Sequence, residues 1–267
     1  MPVVVARCRR HVCCSTCGDT ATWSSSERSS CGSTRREQHG HRVGCTPGVS
    51  LDSGLSHLTT QADGDTVYYT LHIPAGYDGH TALPVILCLH FGGQPTEWYG
   101  GRFLNLIPLP GLGSLAALLV APTTAQSGWA TPAGEAAAFA ALAAVEQRLR
   151  VDTRRRMVMG YSMSGRGTWH MAATFRQHFV AAIPIAGRPG DIALDTLRDL
   201  PLYVIHSEAD RRVPIEDTAK AVARLHAMGA PVAFARLPSG DHFDYRLVIA
   251  ELRTKVCPWL ETVWQHP

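Results

Sequence analysis

Arg155-Arg156-Met157-Val158-Met159-Gly160-Tyr161-Ser162-Met163-Ser164-Gly165-Arg166-Gly167-Thr168-Trp169 runs from a short apolar segment through Gly-x-Ser-x-small into a helical stretch. The order is strand, tight turn, helix. A serine at the apex of such a turn has a strained backbone, so the residues two before and two after it must be small. Gly160 fills the first position and Ser164 the second, where glycine is more usual. The turn lifts the Ser162 hydroxyl above the sheet and aims the Met163 N–H at the same point, which supplies a nucleophile and one oxyanion donor from adjacent residues. Ser164 is a rival nucleophile, but its flanking turn positions are Ser162 and Arg166, and it fits worse.

Working outward, Val67–Ile73 has β-branched and aromatic character and reads as an early, half-exposed strand. Residues 84–90, Pro-Val-Ile-Leu-Cys-Leu-His, are nearly all apolar and suit a central strand covered on both faces. Leu115–Ala121, Phe179–Ile185, Leu200–His206 and Val232–Leu237 read as further strands. Thr131-Pro132 caps an Ala-rich amphipathic helix running to Arg150, with Phe139, Leu142, Val145 and Leu149 at helical spacing. Two more helices follow, one between Ile215 and Met228 and one from Leu247 toward Trp264. Strands alternating with helices predict an α/β fold, a mostly parallel central sheet with helices on both faces.

Ligands of parallel sheets sit beyond the carboxyl ends of the strands. After His90 come Gly92 and Gly93, whose N–H groups can face an oxyanion. After Ile205 comes His206-Ser207-Glu208-Ala209-Asp210-Arg211-Arg212-Val213-Pro214, and after Leu237 comes Ser239-Gly240-Asp241-His242-Phe243. An acid and a histidine thus follow Ser162 in the order Ser…Asp…His, which distinguishes the α/β-hydrolase arrangement from other serine hydrolases. His242 is the candidate general base, and a carboxylate is needed to hold its imidazole in the right tautomer. Asp210 is the candidate acid because it sits on a turn after a strand, with Glu208 as runner-up. Asp241 and Asp244 are too near His242 in sequence to reach its ring easily. His90 and His206 are expected to hydrogen-bond loop backbone. With no clustered ligands around them, no metal is expected. Trp169 is expected in the core, and Trp129, on a loop after a strand end, is the candidate wall of an apolar acyl or alcohol pocket.

The net charge of +3 over 267 residues is too small to argue for nucleic acid or a membrane surface. Residues 1–50 hold seven arginines against Asp19, Glu27 and Glu37, together with six of the eight cysteines, and few aliphatics after Val12. Such a segment cannot bury enough apolar surface to offset its ordering entropy, so disorder or a mis-set start is expected there. Zinc ligation by Cys14, Cys17, Cys31, Cys45, His39 and His41 is a weaker reading, since no second Cys-x-x-Cys appears. Pro2–Ala6 is too short for the apolar region of a secretion signal, and no run approaches a membrane-spanning length. The expectation is a soluble protein, cytoplasmic by default, with residues 51–267 as one catalytic domain.

Gly160–Trp169 resembles the Gly-x-Ser-Met-Gly-Gly-x-Gly-Thr-Trp elbow of bacterial α/β-hydrolases classed as carboxylesterases or predicted peptidases, akin to the polyhydroxybutyrate depolymerase and feruloyl esterase group. His206–Pro214 is similar to their His-Gly-x-x-Asp-x-x-Val-Pro segment, and Gly240-Asp241-His242 to their Gly-x-His. The resemblance covers about residues 65–265. It implies hydrolysis of small carboxylic esters without a cofactor, with the acid at Asp210. Ser164, Phe91 and Ser207 stand where those proteins carry glycine. The Phe91 change bears on the oxyanion hole, whose second donor is expected to be the N–H of Gly92 or Phe91, beside that of Met163. Peptide or amide hydrolysis and polyester cleavage use the same triad, and a non-catalytic hydrolase-fold binding protein is the remaining alternative. Substrate preference and oligomeric state do not follow from the sequence.

Overall fold

The structure, a computed structural model, describes residues 52–124 and 128–265. The Cys- and Arg-rich residues 1–50, with the disorder and zinc readings made for them, lie outside the described residues. The chain begins with a hairpin of β1 (Gly54–Ala62) and β2 (Asp65–Ile73). Asp63 and Gly64 join them with φ of 50° and 90°, the positive pair that a two-residue turn needs to match the twist of the strands. The strands β3 (Leu83–Leu89), β4 (Leu118–Pro122), β5 (Val151–Tyr161), β6 (Ala181–Ile185), β7 (Leu202–Ser207) and β8 (Val232–Leu237) complete an eight-stranded sheet of order β1-β2-β4-β3-β5-β6-β7-β8. From β4 to β8 all neighbours are parallel, and only the β1–β2 and β2–β4 pairs are antiparallel.

Every side chain of β3 is buried, as a strand covered on both faces requires. Because successive side chains point to opposite faces, β3 divides its residues between two cores. Val85, Leu87 and Leu89 join Val158, Trp169 and Leu142 on one face; Ile86 and Cys88 join Met157, Met159 and Phe103 on the other. The helices α3 (Pro132–Glu146), α4 (Met163–Thr174) and α5 (Glu216–Ala227) cover the first face. The helices α1 (Tyr99–Leu106), α2 (Pro108–Leu112), α6 (Tyr245–Glu251) and α7 (Cys257–Gln265) cover the second. Thr131 caps α3 as its sequence indicates, with its side chain accepting from Gly134 N and Pro132 at the first helical position.

Several boundaries depart from the sequence reading. The β4 strand starts at Leu118 rather than Leu115, α3 ends at Glu146 rather than Arg150, and β5 extends from Val151 to Tyr161. The α1 helix has no counterpart in the sequence reading, and it contains Gly100 and Gly101. Both are needed: a Cβ on Gly100 would lie 2.3 Å from Ala121 O, and one on Gly101 2.5 Å from Thr70 Oγ1.

Candidate active site

Ser162 lies between the end of β5 and the start of α4 with φ 62° and ψ −116°, a backbone region that a non-glycine residue enters only under constraint. The constraint is visible. Ser162 N–H donates to Ile185 O at 2.9 Å, and Ser162 O accepts from Arg166 N at 3.2 Å. A Cβ on Gly160 would sit 2.4 Å from Ser164 O, and one on Gly165 2.2 Å from Ile185 O, so the turn closes only with glycine at both. Ser164, the departure from the usual glycine, is fully buried. Its hydroxyl accepts from Tyr161 N at 2.8 Å and donates to Tyr161 O at 2.9 Å, stitching the two sides of the elbow together. Ser164 is therefore a brace of the turn.

The structure brings the three residues singled out by chain order into one line. His242 Nε2 is 2.7 Å from Ser162 Oγ, and His242 Nδ1 is 2.6 Å from Asp210 Oδ2. A carboxylate only accepts, so Nδ1 carries the proton and Nε2 faces the serine as an acceptor. Asp210 Oδ1 accepts from Arg212 N at 2.9 Å and Val213 N at 2.8 Å, which fixes the carboxylate in the turn after β7. Asp210 and His242 are 5% and 4% exposed, so their interaction is little weakened by water. Tyr161 donates its hydroxyl to His242 O at 2.8 Å and seats the histidine loop against β5.

The competing residues are placed elsewhere. Glu208 is exposed and paired with Arg236 at 3.0 Å. Asp241 accepts from Phe243 N, and Asp244 caps α6 and pairs with Arg246. His206 donates from Nε2 to Val213 O at 2.8 Å, and burial lowers its pKa, so it is a neutral prop behind Asp210. Trp169 is buried with its Nε1–H on Gly187 O. Ser207, another glycine of the resembled pattern, reaches from the acid loop to the histidine loop, its Oγ lying 2.6 Å from Gly240 O and 3.0 Å from Ser239 O.

The expectation for Trp129 is corrected. It is 1% exposed, belongs to the core between the sheet and α3, and lines no cavity beside Ser162 among the described residues. Its indole N–H donates to His90 O at 2.9 Å. His90 in turn donates from Nδ1 to Phe91 O at 2.8 Å and accepts Thr124 N–H at Nε2, 3.2 Å away. Burial lowers the His90 pKa and keeps it neutral, as these two bonds require. In a trans peptide the N–H points opposite the C=O. With the carbonyls of His90 and Phe91 held on the scaffold, the N–H groups of Phe91 and Gly92 are turned away from it and have no acceptor among the described residues. Gly92 lies beside Met163: a Cβ there would be 3.5 Å from Met163 Cβ.

Beside Ser162 opens a slot of about 520 Å³ lined by the rings of Phe91, Tyr161, Phe243 and Tyr245 and by His242, with Leu106, Arg102 and Arg212 also in its wall. Phe91 stacks on Tyr245 with an interplanar angle of 4°, and Phe243 is 64% exposed at the mouth. The sequence reading named Phe91 only as an oxyanion candidate and missed Tyr161, Tyr245 and Phe243. Their shared position next to the motif residues Ser162 and His242 was the available signal. Among the described residues no group of three or more histidines, cysteines or carboxylates is placed to hold a metal, and no helix is long and apolar enough to cross a membrane.

The sheet order, the strained serine and the acid and histidine after β7 and β8 define the α/β-hydrolase fold. Residues 123–243 match the dienelactone hydrolase family. A probable feruloyl esterase C of Aspergillus niger is 31% identical over 153 residues, 53% of either chain. A feruloyl esterase C of Emericella nidulans is likewise 31% identical over 153 residues, 53% of each. The chain thus spans about half the length of the curated relatives it matches. Among solved structures, a thermostable esterase superposes with a TM-score of 0.64 at 22% identity, covering 78% of this chain and 62% of that one. The fluorophosphonate-binding serine hydrolase FphF of Staphylococcus aureus superposes with a TM-score of 0.64 at 15% identity, covering 78% and 98%.

Proposed function

We propose that the chain is a serine carboxylesterase, hydrolysing carboxylic esters through an acyl-enzyme on Ser162 without a cofactor. The observation that carries this is the hydrogen-bonded line from Asp210 through His242 to a serine held in a strained turn. Ser162 Oγ attacks the ester carbonyl carbon while its proton passes to His242 Nε2. Asp210 holds the imidazole and stabilises the imidazolium. The negative charge on the carbonyl oxygen is met by the N–H of Met163 and by an N–H of the Phe91-Gly92 segment. The alcohol leaves with the proton from Nε2, and a water activated by the same nitrogen then releases the acid. The aromatic slot receives one half of the ester, and the feruloyl esterase relatives support an ester substrate.

The test is turnover of a p-nitrophenyl ester by the parent and by Ser162→Ala, His242→Ala and Asp210→Asn. Loss of about 10⁴–10⁶-fold in kcat for Ser162→Ala with an unchanged melting profile is expected. Near-parental turnover by that variant would overturn the assignment. Matched anilides run alongside the esters separate esterase from amidase action.

A further inference from the structure

Ser162 borders a second depression next to the aromatic slot, and Arg212 lines both. It is about 730 Å³ and lined by Met163, Gly187 and Val213 together with four arginines, Arg166, Arg188, Arg211 and Arg212. No carboxylate among the described residues lines it. The four come from three separate elements: the first turn of α4, the loop after β6 and the loop after β7. None of their side chains has an ion pair or hydrogen bond among the described residues, whereas Arg155, Arg156, Arg224, Arg236 and Arg246 are each paired with a carboxylate. Arg166 also sits in the first turn of a helix whose positive dipole end disfavours a cation. All four are exposed, and four guanidinium groups without ion pairs among the described residues, gathered along one groove, repel one another. Guanidinium groups suit bidentate recognition of a carboxylate.

Resting on the esterase reading above, we propose that this groove binds a carboxylate carried by the acyl half of the substrate, so that the preferred substrates are monoesters of dicarboxylic acids. The proton path settles which half lies where. The departing alcohol must take its proton from His242 Nε2, and His242 lines the aromatic slot but not the arginine groove. The alcohol therefore leaves through the aromatic slot and the acyl chain extends over Met163 toward the arginines. Attack on such an ester forms the Ser162 Oγ–acyl bond and breaks the bond to the alcohol oxygen, which takes the proton from Nε2. Water then releases the dicarboxylate.

The experiment compares kcat/KM for mono-p-nitrophenyl glutarate and its neutral methyl ester, p-nitrophenyl methyl glutarate, with 4-acetoxybenzoate to place the charge on the leaving group instead. The anionic glutarate should be preferred by about tenfold or more at low ionic strength, a preference that shrinks as salt screens the groove. In Arg188→Gln, in Arg211→Gln and in the double variant the anionic-to-neutral ratio should fall stepwise toward one, while Arg154→Gln, at the far end of β5, keeps the parental ratio. Equal kcat/KM for the two glutarates, or a ratio untouched by the arginine substitutions, would overturn the groove and leave the esterase reading standing. A preference for the charged leaving group over the charged acyl chain would overturn the placement of the halves. Absence of hydrolysis of all three esters would overturn both.

Discussion

The Ser207 hydroxyl lies 2.6 Å from Gly240 O, joining the loop that carries Asp210 to the loop that carries His242. The same oxygen accepts Ala209 N–H at 3.1 Å, so one side chain fixes both loops at the point where acid and imidazole must meet. Glycine, the residue of the resembled pattern, would leave that junction to the backbone alone. Ser207→Gly should lower kcat by about five- to twentyfold through loss of alignment, with little change in KM and a small drop in Tm, and Ser207→Thr should restore part of it. A kcat for the glycine variant within twofold of the parent would show the junction to be dispensable.

Gly160 and Ser164 form a pair whose exchange has opposite consequences. A methyl group on Gly160 meets the Ser164 backbone, so Gly160→Ala should destabilise the protein by about 2 kcal/mol or more and abolish activity by moving Ser162. Ser164→Ala keeps the shape but leaves the buried N–H and C=O of Tyr161 without the Ser164 partner. A loss of about 1–3 kcal/mol in urea unfolding is expected, with activity largely kept at low denaturant. Greater loss of activity than of stability in Ser164→Ala would restore it as a candidate nucleophile.

Trp129 is buried and tied to the site by one bond, its indole N–H on His90 O. Trp129→Phe removes the indole N–H from His90 O and shrinks a buried side chain, so stability should fall by about 2–4 kcal/mol. The order of preference across a p-nitrophenyl ester series should not change. A shift in chain-length preference in this variant would return Trp129 to the pocket wall.

His90 and His206 couple stability to pH. Burial lowers both pKa values in the folded chain, so as pH falls through about 6.5 the unfolded chain takes up protons that the folded chain refuses. Stability is therefore full above that pH and declines below it. Tm should drop progressively between about pH 7 and pH 5, and the slope should be shallower in His90→Asn, which can still donate to Phe91 O. An identical slope in the variant would remove His90 from the explanation.

The parts of this architecture that were legible in the sequence are those with strong local demands. The apolar β3 and the Gly-x-Ser turn leave few alternatives, and the positions of Asp210 and His242 follow from which end of a parallel strand they occupy. The hairpin strand β1 escaped because its alternating polar and small residues carry little hydrophobic signal, although Asp63-Gly64 marked its turn. The helix α1 escaped because its two glycines, unfavourable in a helix, are there to let it approach Ala121 and Thr70. The slot and the groove were hidden for a different reason. Phe91, Tyr161 and Tyr245 are far apart along the chain, as are Arg166, Arg188 and Arg211, and only the closure of the sheet brings each set together. Trp129 shows the converse error: a loop aromatic near a strand end was read as a pocket wall when its N–H was needed inside.

The most direct measurement on the central assignment is the site of covalent modification by a fluorophosphonate, read by mass spectrometry of the digested protein. One equivalent should be found on the peptide containing Ser162, at a rate lowered at least a hundredfold in His242→Ala and abolished by prior unfolding, since the hydroxyl is a strong nucleophile only when Nε2 can take its proton. Modification at another serine, or labelling of Ser162 that proceeds equally well without His242, would contradict the account.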